Sequence, residues 1–325
     1  MKAAFYTRNG PAHEVLTLGD RPRRAPSEGE VLVELRCSGV NPSDVKSRAA
    51  RPLAGAYVIP HSDGAGVIAE VGPGVEASRI GERVWLWNAQ WQRADGTAAQ
   101  TVTLPAAQAV PLPEAAAFEV GACAGIPLLT AIQAVAFATE QGAASILVTG
   151  AGNAVGHYVC QLAQQRGMHV IGTASDQRAE LVTETGATRV NYQTGDLADA
   201  VREANDGQPV DAIVDMDFSS TAGLLQEAVL KPHGSVICYG SNDMTQVPVP
   251  FRDLLFNSYA LRFFLVYTLT EAQRAAALQV AQEALQSGRL ITRIDGRFAL
   301  DQIAEAHQRV ETGAALGNVV IDLGA

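Results

Sequence analysis

The residues best placed to do chemistry are Gly150, Gly152 and Gly156, inside the stretch Ser145 to Gly156 (SILVTGAGNAVG). The run Ile146 to Thr149 is made of strand formers, and Val155, Val159, Leu162 and Ala163 then recur at helical spacing. Strand, glycine turn and helix in that order can cradle a pyrophosphate. N–H groups at the helix start point at the anion, and the helix dipole adds about half a positive charge there. The spacing departs from the strict G-x-G-x-x-G: with the last glycine on Gly156, the first two glycine positions hold Ala151 and Asn153. Asn tolerates a left-handed backbone better than most side chains, and Ala keeps the turn slim. Asn153 is therefore expected to adopt a positive φ or to donate its own side-chain amide to the phosphate. Without a ligand, the same stretch would be an ordinary strand-to-helix turn.

Such a turn needs a sheet to hold it. At 325 residues the chain suits two domains. A hydrophobic fraction of 47% with 18% charged residues describes a packed protein, not a disordered one. Lys and Arg number 24 against 34 Asp and Glu, a net charge of −10 with no basic cluster. Nucleic acid and anionic membranes are thereby excluded as main partners. The opening MKAAFYTR reads as a first strand without the apolar core of a secretory signal, and no run of about 18 apolar residues would span a membrane. Cys37, Cys123, Cys160 and Cys238 are widely spaced, which suits reduced thiols and a cytoplasmic protein.

Residues 1 to about 120 read as all-β, a small barrel or sandwich. Short runs (Glu30 to Arg36, Gly66 to Val71, Glu82 to Trp87) alternate with turn chemistry such as Gly72-Pro73-Gly74. Helical stretches at 119–124 and 130–139 then lead into alternating strands and helices. Strands are expected at 170–173, 189–191, 210–215 and 234–239, and helices at 177–185, 196–203 and 220–230. That succession predicts a doubly wound parallel sheet. The apolar run 261–267 reads as a buried strand. A long amphipathic helix at 270–286, a helix at 301–312 and a strand at 318–323 close the chain. The fold class is α/β. A nucleotide domain, 121–267, is inserted between two parts, 1–120 and 268–325, of a β-rich domain, with cofactor and substrate expected to meet in the cleft between them.

Several segments together resemble a known family. Gly39 to Asp44 (GVNPSD), Gly64 to Ile68 (GAGVI), Gly81 to Val84 (GERV), Gly125 to Ala131 (GIPLLTA) and Val155 to Tyr158 (VGHY) look like medium-chain dehydrogenases/reductases. Asn191-Tyr192, Ala304 to His307 (AEAH) and Gly317 to Val320 (GNVV) agree. The nearest branch is the zinc-free quinone oxidoreductase group that includes zeta-crystallin. The resemblance covers nearly the whole chain. It implies a GroES-like catalytic domain, a Rossmann domain, NADPH as hydride donor, and a homodimer or homotetramer.

Zinc-dependent relatives hold their metal with a Cys after Gly-Val, a Gly-His-Glu and a later Cys. Here those positions read Asn41, then His61-Ser62-Asp63 with the His displaced by one residue, then a point near Ile126 with Cys123 three residues early. The four-Cys structural lobe is missing. No set of three or four correctly spaced ligands survives, so a metal-free site is expected. His61 then reads as a local hydrogen-bonding residue and Cys123 as a small buried hydrophobe.

NAD sites usually place an acidic residue at the end of the second strand to hold the ribose 2′-OH. Here the strand ends at Ser175, small and neutral, and Arg178 follows, which favours a 2′-phosphate and hence NADPH. Asp176 is the counter-argument, if the strand runs one residue longer; otherwise it caps the next helix and Arg178 is a solvated charge. Tyr192 stands where relatives contact the adenosine phosphate. The phosphate cradle is assigned to Gly152, Asn153, Ala154, Val155 and Gly156. The resemblance places Thr130, Gly240, Ser241, Phe263, Phe264, Leu265 and Asn318 on the nicotinamide side.

Hydride transfer to a quinone asks the protein for alignment and exclusion of water. The catalytic candidates are Asn41, in place of the zinc ligand and able to donate to the quinone oxygen or the nicotinamide carboxamide, and Lys46, where several relatives carry Tyr. Asn41 also reads as a turn residue before Pro42, and Lys46 as a solvated loop lysine or a cation that stabilises an oxyanion. Trp85, Trp87 and Trp91 could floor a pocket for a planar substrate or serve as core and lid packing. The leading expectation is an NADPH-dependent quinone reductase. An enoyl or 2-alkenal reductase is the enzymatic alternative, and an NADPH-binding crystallin-like or redox-sensing protein the non-enzymatic one.

Overall fold

The computed structural model describes Met1–Gly324, and the chain divides into two compact units: Met1–Leu128 with Leu278–Ala325, and Leu129–Ala277. In the first unit β1 (Lys2–Phe5) pairs antiparallel with β2 (Thr17–Asp20) across the short helix α1 (Ala12–Val15). Then follow β3 (Glu30–Val40), α2 (Pro42–Ala50), β4 (Asp63–Val71), β5 (Arg83–Leu86), β6 (Thr101–Pro105), β7 (Ala109–Pro111) and α3 (Phe118–Gly121). A π-helical turn, Ala124–Leu128, ends this part of the chain.

The second unit opens with α4 (Leu129–Glu140), and its strands and helices alternate. They are β8 (Ser145–Val148), α5 (Ala154–Gln165), β9 (His169–Thr173), α6 (Ala179–Thr183), β10 (Thr188–Val190), α7 (Leu197–Ala204), β11 (Val210–Asp215), α8 (Phe218–Thr221), β12 (Leu230–Cys238), α9 (Phe251–Phe256) and β13 (Ala260–Phe263). The strands form one parallel sheet in the order β10-β9-β8-β11-β12-β13. Strand order reverses between β8 and β11, and in such sheets the crevice at the reversal takes the ligand. Leu147, Ile213 and Val236 are buried in the middle of the sheet, packed against Val201 and Leu225 from the connections.

The expected helix at 220–230 is much shorter. Ser220 and Thr221 hydroxyls bond back to the Asp217 carbonyl, a single 3-10 stretch Ala222–Gln226 follows, and Leu230 already belongs to β12. Small polar residues that bond to nearby backbone compete with helix propagation. The run 261–267 is also not a buried strand: β13 is the edge of the sheet, Phe263 is 57% exposed, and Val266–Thr268 turn into a 3-10 helix. An apolar run reports that something covers it, not whether the cover lies in the same chain.

The chain closes with α10 (Glu271–Ser287), β14 (Ile294–Ala299), α11 (Ile303–Glu311) and β15 (Asn318–Asp322). β14 and β15 join the first unit's sheet, ordered β14-β15-β3-β4-β5-β7 with β6 also on β3. Its pairings are antiparallel except β14 with β15. β3 carries the sheet, pairing with β15, β4 and β6, and its Val31, Val33 and Leu35 bury against Leu86 and Leu104. Among the described residues, no helix is long and apolar enough to cross a membrane.

Candidate active site

The glycine turn joins β8 to α5 at the strand reversal. Gly150 holds the left-handed conformation (φ 63°), and a Cβ there would stand 1.9 Å from Met216 Sδ. Asn153 is not left-handed. It is the extended N-cap of α5 (φ −99°), because Gly150 already makes the reversal. Its side chain caps nothing in the helix and donates to Met216 Sδ at 3.0 Å. The first intrahelical bond runs from His157 N–H to Asn153 O (2.8 Å), so the N–H groups of Ala154, Val155 and Gly156 meet no acceptor among the described residues. Three unanswered donors at a helix start form a cradle for an anion. Gly156 is required for a different reason: its Cβ would lie 2.4 Å from the Gly150 carbonyl oxygen.

The end of β9 supports this turn. Thr173 accepts from Ala151 N–H through its carbonyl (3.0 Å) and from Gly150 N–H through its hydroxyl (3.0 Å). Ser175 caps a single 3-10 turn, Asp176–Arg178. Asp176 is bound to its neighbours: Arg189 Nη2 donates to its carboxylate at 2.5 Å and Asn191 Nδ2 at 3.0 Å. Arg178 is not merely solvated, since its Nη1 donates to Gly152 O at 2.9 Å and its Cβ abuts Gly152. The sequence reading placed Arg189 and Asn191 in a strand but did not foresee that both reach the Asp176 carboxylate, although alternate residues of a strand share a face. Tyr192 follows β10 and is 52% exposed.

At the other end of the sheet, Gly240 follows β12 and closes on Met216, its Cβ position 2.5 Å from the Met216 carbonyl oxygen. Met216 therefore touches both Gly150 and Gly240, a role that its sequence context does not signal. Ser241 Oγ donates to Asp243 O at 2.6 Å. Phe264 N–H donates to Cys238 O (3.0 Å) and its ring packs edge-on to Phe137, while Phe263 packs edge-on to Phe218. Leu265 is 44% exposed and Thr130, on α4, is buried. The turn, Ser175, Tyr192, Gly240 and Phe263 to Leu265 all follow the C-terminal ends of one parallel sheet. Asn318, Asn41 and Lys46 belong to the other unit.

In that unit Asn41 caps α2. Its backbone N–H donates to Asp44 Oδ2 (2.8 Å) and its side-chain Nδ2 to Asp63 Oδ2 (2.8 Å). Ile126 N–H, in the π-helical turn, donates to the same Asp63 oxygen at 2.8 Å, while Asp63 Oδ1 is buried without a partner. Burial pushes the Asp63 carboxyl well above the usual range, against the pull of these two donors, and burial likewise lifts Asp44 to about 7. Lys46 lies exposed on α2. Asn318 Nδ2 donates to Arg293 O at 3.0 Å.

His61 is fully buried and left-handed (φ 77°). Its Nδ1 lies 2.8 Å from Ser38 Oγ and its Nε2 2.9 Å from His307 Nε2. The arrangement that leaves no hydrogen unpartnered has His307 donate to His61, His61 to Ser38, Ser38 to Thr97 and Thr97 to Asp63 O. Burial holds His61 down at about 3 and His307 well below the usual imidazole range. Of the tryptophans, Trp85 is core in β5, while Trp91 lines an open pocket.

Residues 27–114 match the family profile described as an alcohol dehydrogenase GroES-like domain, and residues 185–321 one described as a zinc-binding dehydrogenase. The quinone oxidoreductase of Pongo abelii is 30% identical over 308 residues, covering 91% of this chain and 90% of that protein. The chain belongs to the medium-chain dehydrogenase/reductase superfamily. Within it, the chain falls in the quinone oxidoreductase-like branch. A solved NAD-dependent alcohol dehydrogenase is 26% identical with a TM-score of 0.88, each chain covered completely. A mycobacterial protein solved as its complex with NADPH is 26% identical with a TM-score of 0.84, covering 99% of this chain and 100% of that one. As a member of this superfamily the protein is an oxidoreductase of small molecules, with a Rossmann-like unit suited to a nicotinamide cofactor. Among the described residues, no group of three or more His, Cys, Asp or Glu side chains could hold a metal ion.

Proposed function

We propose that the protein is an NADPH-dependent quinone reductase that works without a metal. The observation that carries this reading is the Asn41–Asp63 pair: the amide that stands in for a cysteine ligand of zinc-dependent relatives is hydrogen-bonded to a buried carboxyl. NADPH, when bound, supplies the hydride. The unanswered N–H groups of Ala154, Val155 and Gly156, next to Gly152 and Asn153, would hold its pyrophosphate. Thr130, Gly240, Ser241, Phe263 to Leu265 and Asn318 would line the nicotinamide side, and Tyr192 would meet the adenosine phosphate. Asn41 keeps one side-chain N–H beyond the bond to Asp63, to orient a quinone oxygen or the carboxamide. Lys46, exposed on α2, would supply a proton or steady an oxyanion.

Preference for NADPH is supported by Asp176. A carboxylate that ties the ribose 2′-OH must be open to it, whereas this one is shared between Arg189 and Asn191. Arg178 at Gly152 then faces a 2′-phosphate next to Ser175, a charge-assisted bond worth about 1.5–3 kcal/mol. Arg178→Ala is expected to raise KM for NADPH about tenfold and KM for NADH much less; equal effects on the two would defeat the assignment.

A homodimer is supported by the open edge of β13, where Phe263 and Leu265 expose apolar surface, and by the exposed Phe251 and Phe256 of α9. Four buried free cysteines suit a reducing, cytoplasmic compartment. The deciding assay follows NADPH oxidation with 1,4-benzoquinone, 9,10-phenanthrenequinone and trans-2-hexenal. Turnover of the quinones is the expected result. Turnover of the enal alone would make the protein a 2-alkenal reductase, and binding of NADPH with no turnover a redox sensor or crystallin-like protein.

A further inference from the structure

The C-terminal end of α2 opens on a pocket of about 390 Å³ lined by Tyr6, Ser47, Arg51, Gln90, Trp91 and Gln92, among others. That volume lies within the range of small-molecule sites. Arg51 is the one charged side chain in its lining, in a protein whose net charge is −10. We infer that this pocket is a subsite for a planar anionic group, an aromatic carboxylate or sulfonate, with Arg51 as the charge partner and Trp91 as the stacking face.

Arg51 is left available for a ligand. Its guanidinium stands 4.9 Å from the centroid of the Trp91 ring and is hydrogen-bonded to no carboxylate or carbonyl among the described residues, although the Asp44 carboxyl feels its charge. The helix-end carbonyls that would otherwise draw it are answered by another side chain. Asn9 Nδ2 donates to Ser47 O (3.2 Å), Arg48 O (2.9 Å) and Arg51 O (2.9 Å). The neighbouring Arg48 shows the contrast. Fully buried, it spends its donors on Gly10 O (2.5 Å) and on the Glu311 carboxylate (2.8 Å). A guanidinium lying on an aromatic face presents a flat, cationic surface, which suits a flat anion.

The facing loop is held in place. Gln90 Nε2 donates to Arg93 O (2.7 Å), Ile59 N–H to Ala94 O (2.7 Å), and Gln108 Nε2 to Trp87 O (3.0 Å). Asn88 (φ 52°) and Gln92 (φ 58°) are left-handed on either side of Trp91. A non-glycine side chain in that region costs on the order of 1–2 kcal/mol, and such strain tends to gather at ligand sites. Tyr6, a buried phenol pushed up to about 12, remains a neutral O–H donor rather than a second anion.

The binding arm of the test needs no cofactor, and only the kinetic arm rests on the reductase reading. Titration of the full chain with 2-naphthalenesulfonate and with 2-naphthalenemethanol, followed by tryptophan fluorescence, should show at least about tenfold tighter binding of the sulfonate. Arg51→Gln should erase that preference, and Trp91→Phe should remove most of the quenching. With turnover established, the ratio of kcat/KM for 1,2-naphthoquinone-4-sulfonate over 1,2-naphthoquinone should fall about tenfold in Arg51→Gln. Equal binding of sulfonate and alcohol, a preference that survives Arg51→Gln, or undiminished quenching in Trp91→Phe overturns the subsite. A sulfonate preference that depends on Arg51, in a protein that reduces no quinone, keeps the subsite and removes the reductase reading instead.

Discussion

Gly156→Ala should raise the Kd for NADPH at least about tenfold and cost roughly 2–4 kcal/mol of stability, a large value for one methyl group. The added Cβ would sit 2.4 Å from the Gly150 carbonyl oxygen and 2.8 Å from Ala151 Cα. Both are backbone atoms of the turn, so no side-chain rotation relieves the clash. α5 must move away from the turn, or the turn must open. Either movement disturbs the Asn153 N–H to Gly150 O bond (2.9 Å), which sets the first turn of the helix and with it the direction of the free N–H groups. Gly223→Ala is the control, since a Cβ there meets nothing within 4 Å and the residue lies in a 3-10 stretch away from the turn. Fluorescence titration with NADPH and urea unfolding of both variants measure the two effects. An unchanged Kd in Gly156→Ala would mean that the phosphate lies elsewhere.

Asp63→Asn should stabilise the protein at neutral and alkaline pH, with a gain that grows as pH rises. In the folded chain burial keeps the Asp63 proton on well above the usual range, while the unfolded chain releases it near 3.8. Between those points the native state binds more protons than the unfolded one. Stability therefore falls as pH rises, by up to about 1.4 kcal/mol per unit. Asn cannot ionise, and its carbonyl oxygen can still accept from Asn41 Nδ2 and Ile126 N–H, so the variant escapes that loss. Asp44, held at about 7, acts in the same direction up to that pH.

The buried histidines act the other way. Folded His61 resists protonation down to about 3 and His307 well below the ordinary value, whereas the unfolded chain takes up both protons near 6.5. Their contribution is complete above that pH and is lost as pH falls toward 3. The parent protein should thus lose stability on both sides of a middle range, and Asp63→Asn should flatten the alkaline side alone. Urea unfolding at pH 4.5, 6.0 and 7.5 gives the comparison. A difference between variant and parent that stays constant over this range would show that Asp63 is ionised in the folded protein.

The sequence alone determined the architecture and the site of the glycine turn. Strand formers, glycines and helical periodicity are local signals, and a parallel sheet follows from their alternation whatever lies around it. It also raised the expectation of a metal-free site, because ligand identity is a matter of residue type at a position. Only the tertiary structure decided what each candidate side chain does. Asp176 stood in the sequence as the counter-argument to NADPH or as a helix cap, and only the fold puts Arg189 of β10 and Asn191 just after it on its carboxylate. Asn153 was expected to be left-handed or to give its amide to the phosphate, but Gly150 makes the reversal and Met216, 63 residues away, takes the amide. His61 and His307 are 246 residues apart in the chain, and their 2.9 Å contact exists only because α11 folds back against α2 and β3. Partners separated by this much chain leave no periodic trace, since the contact depends on sheet order and helix placement rather than on spacing.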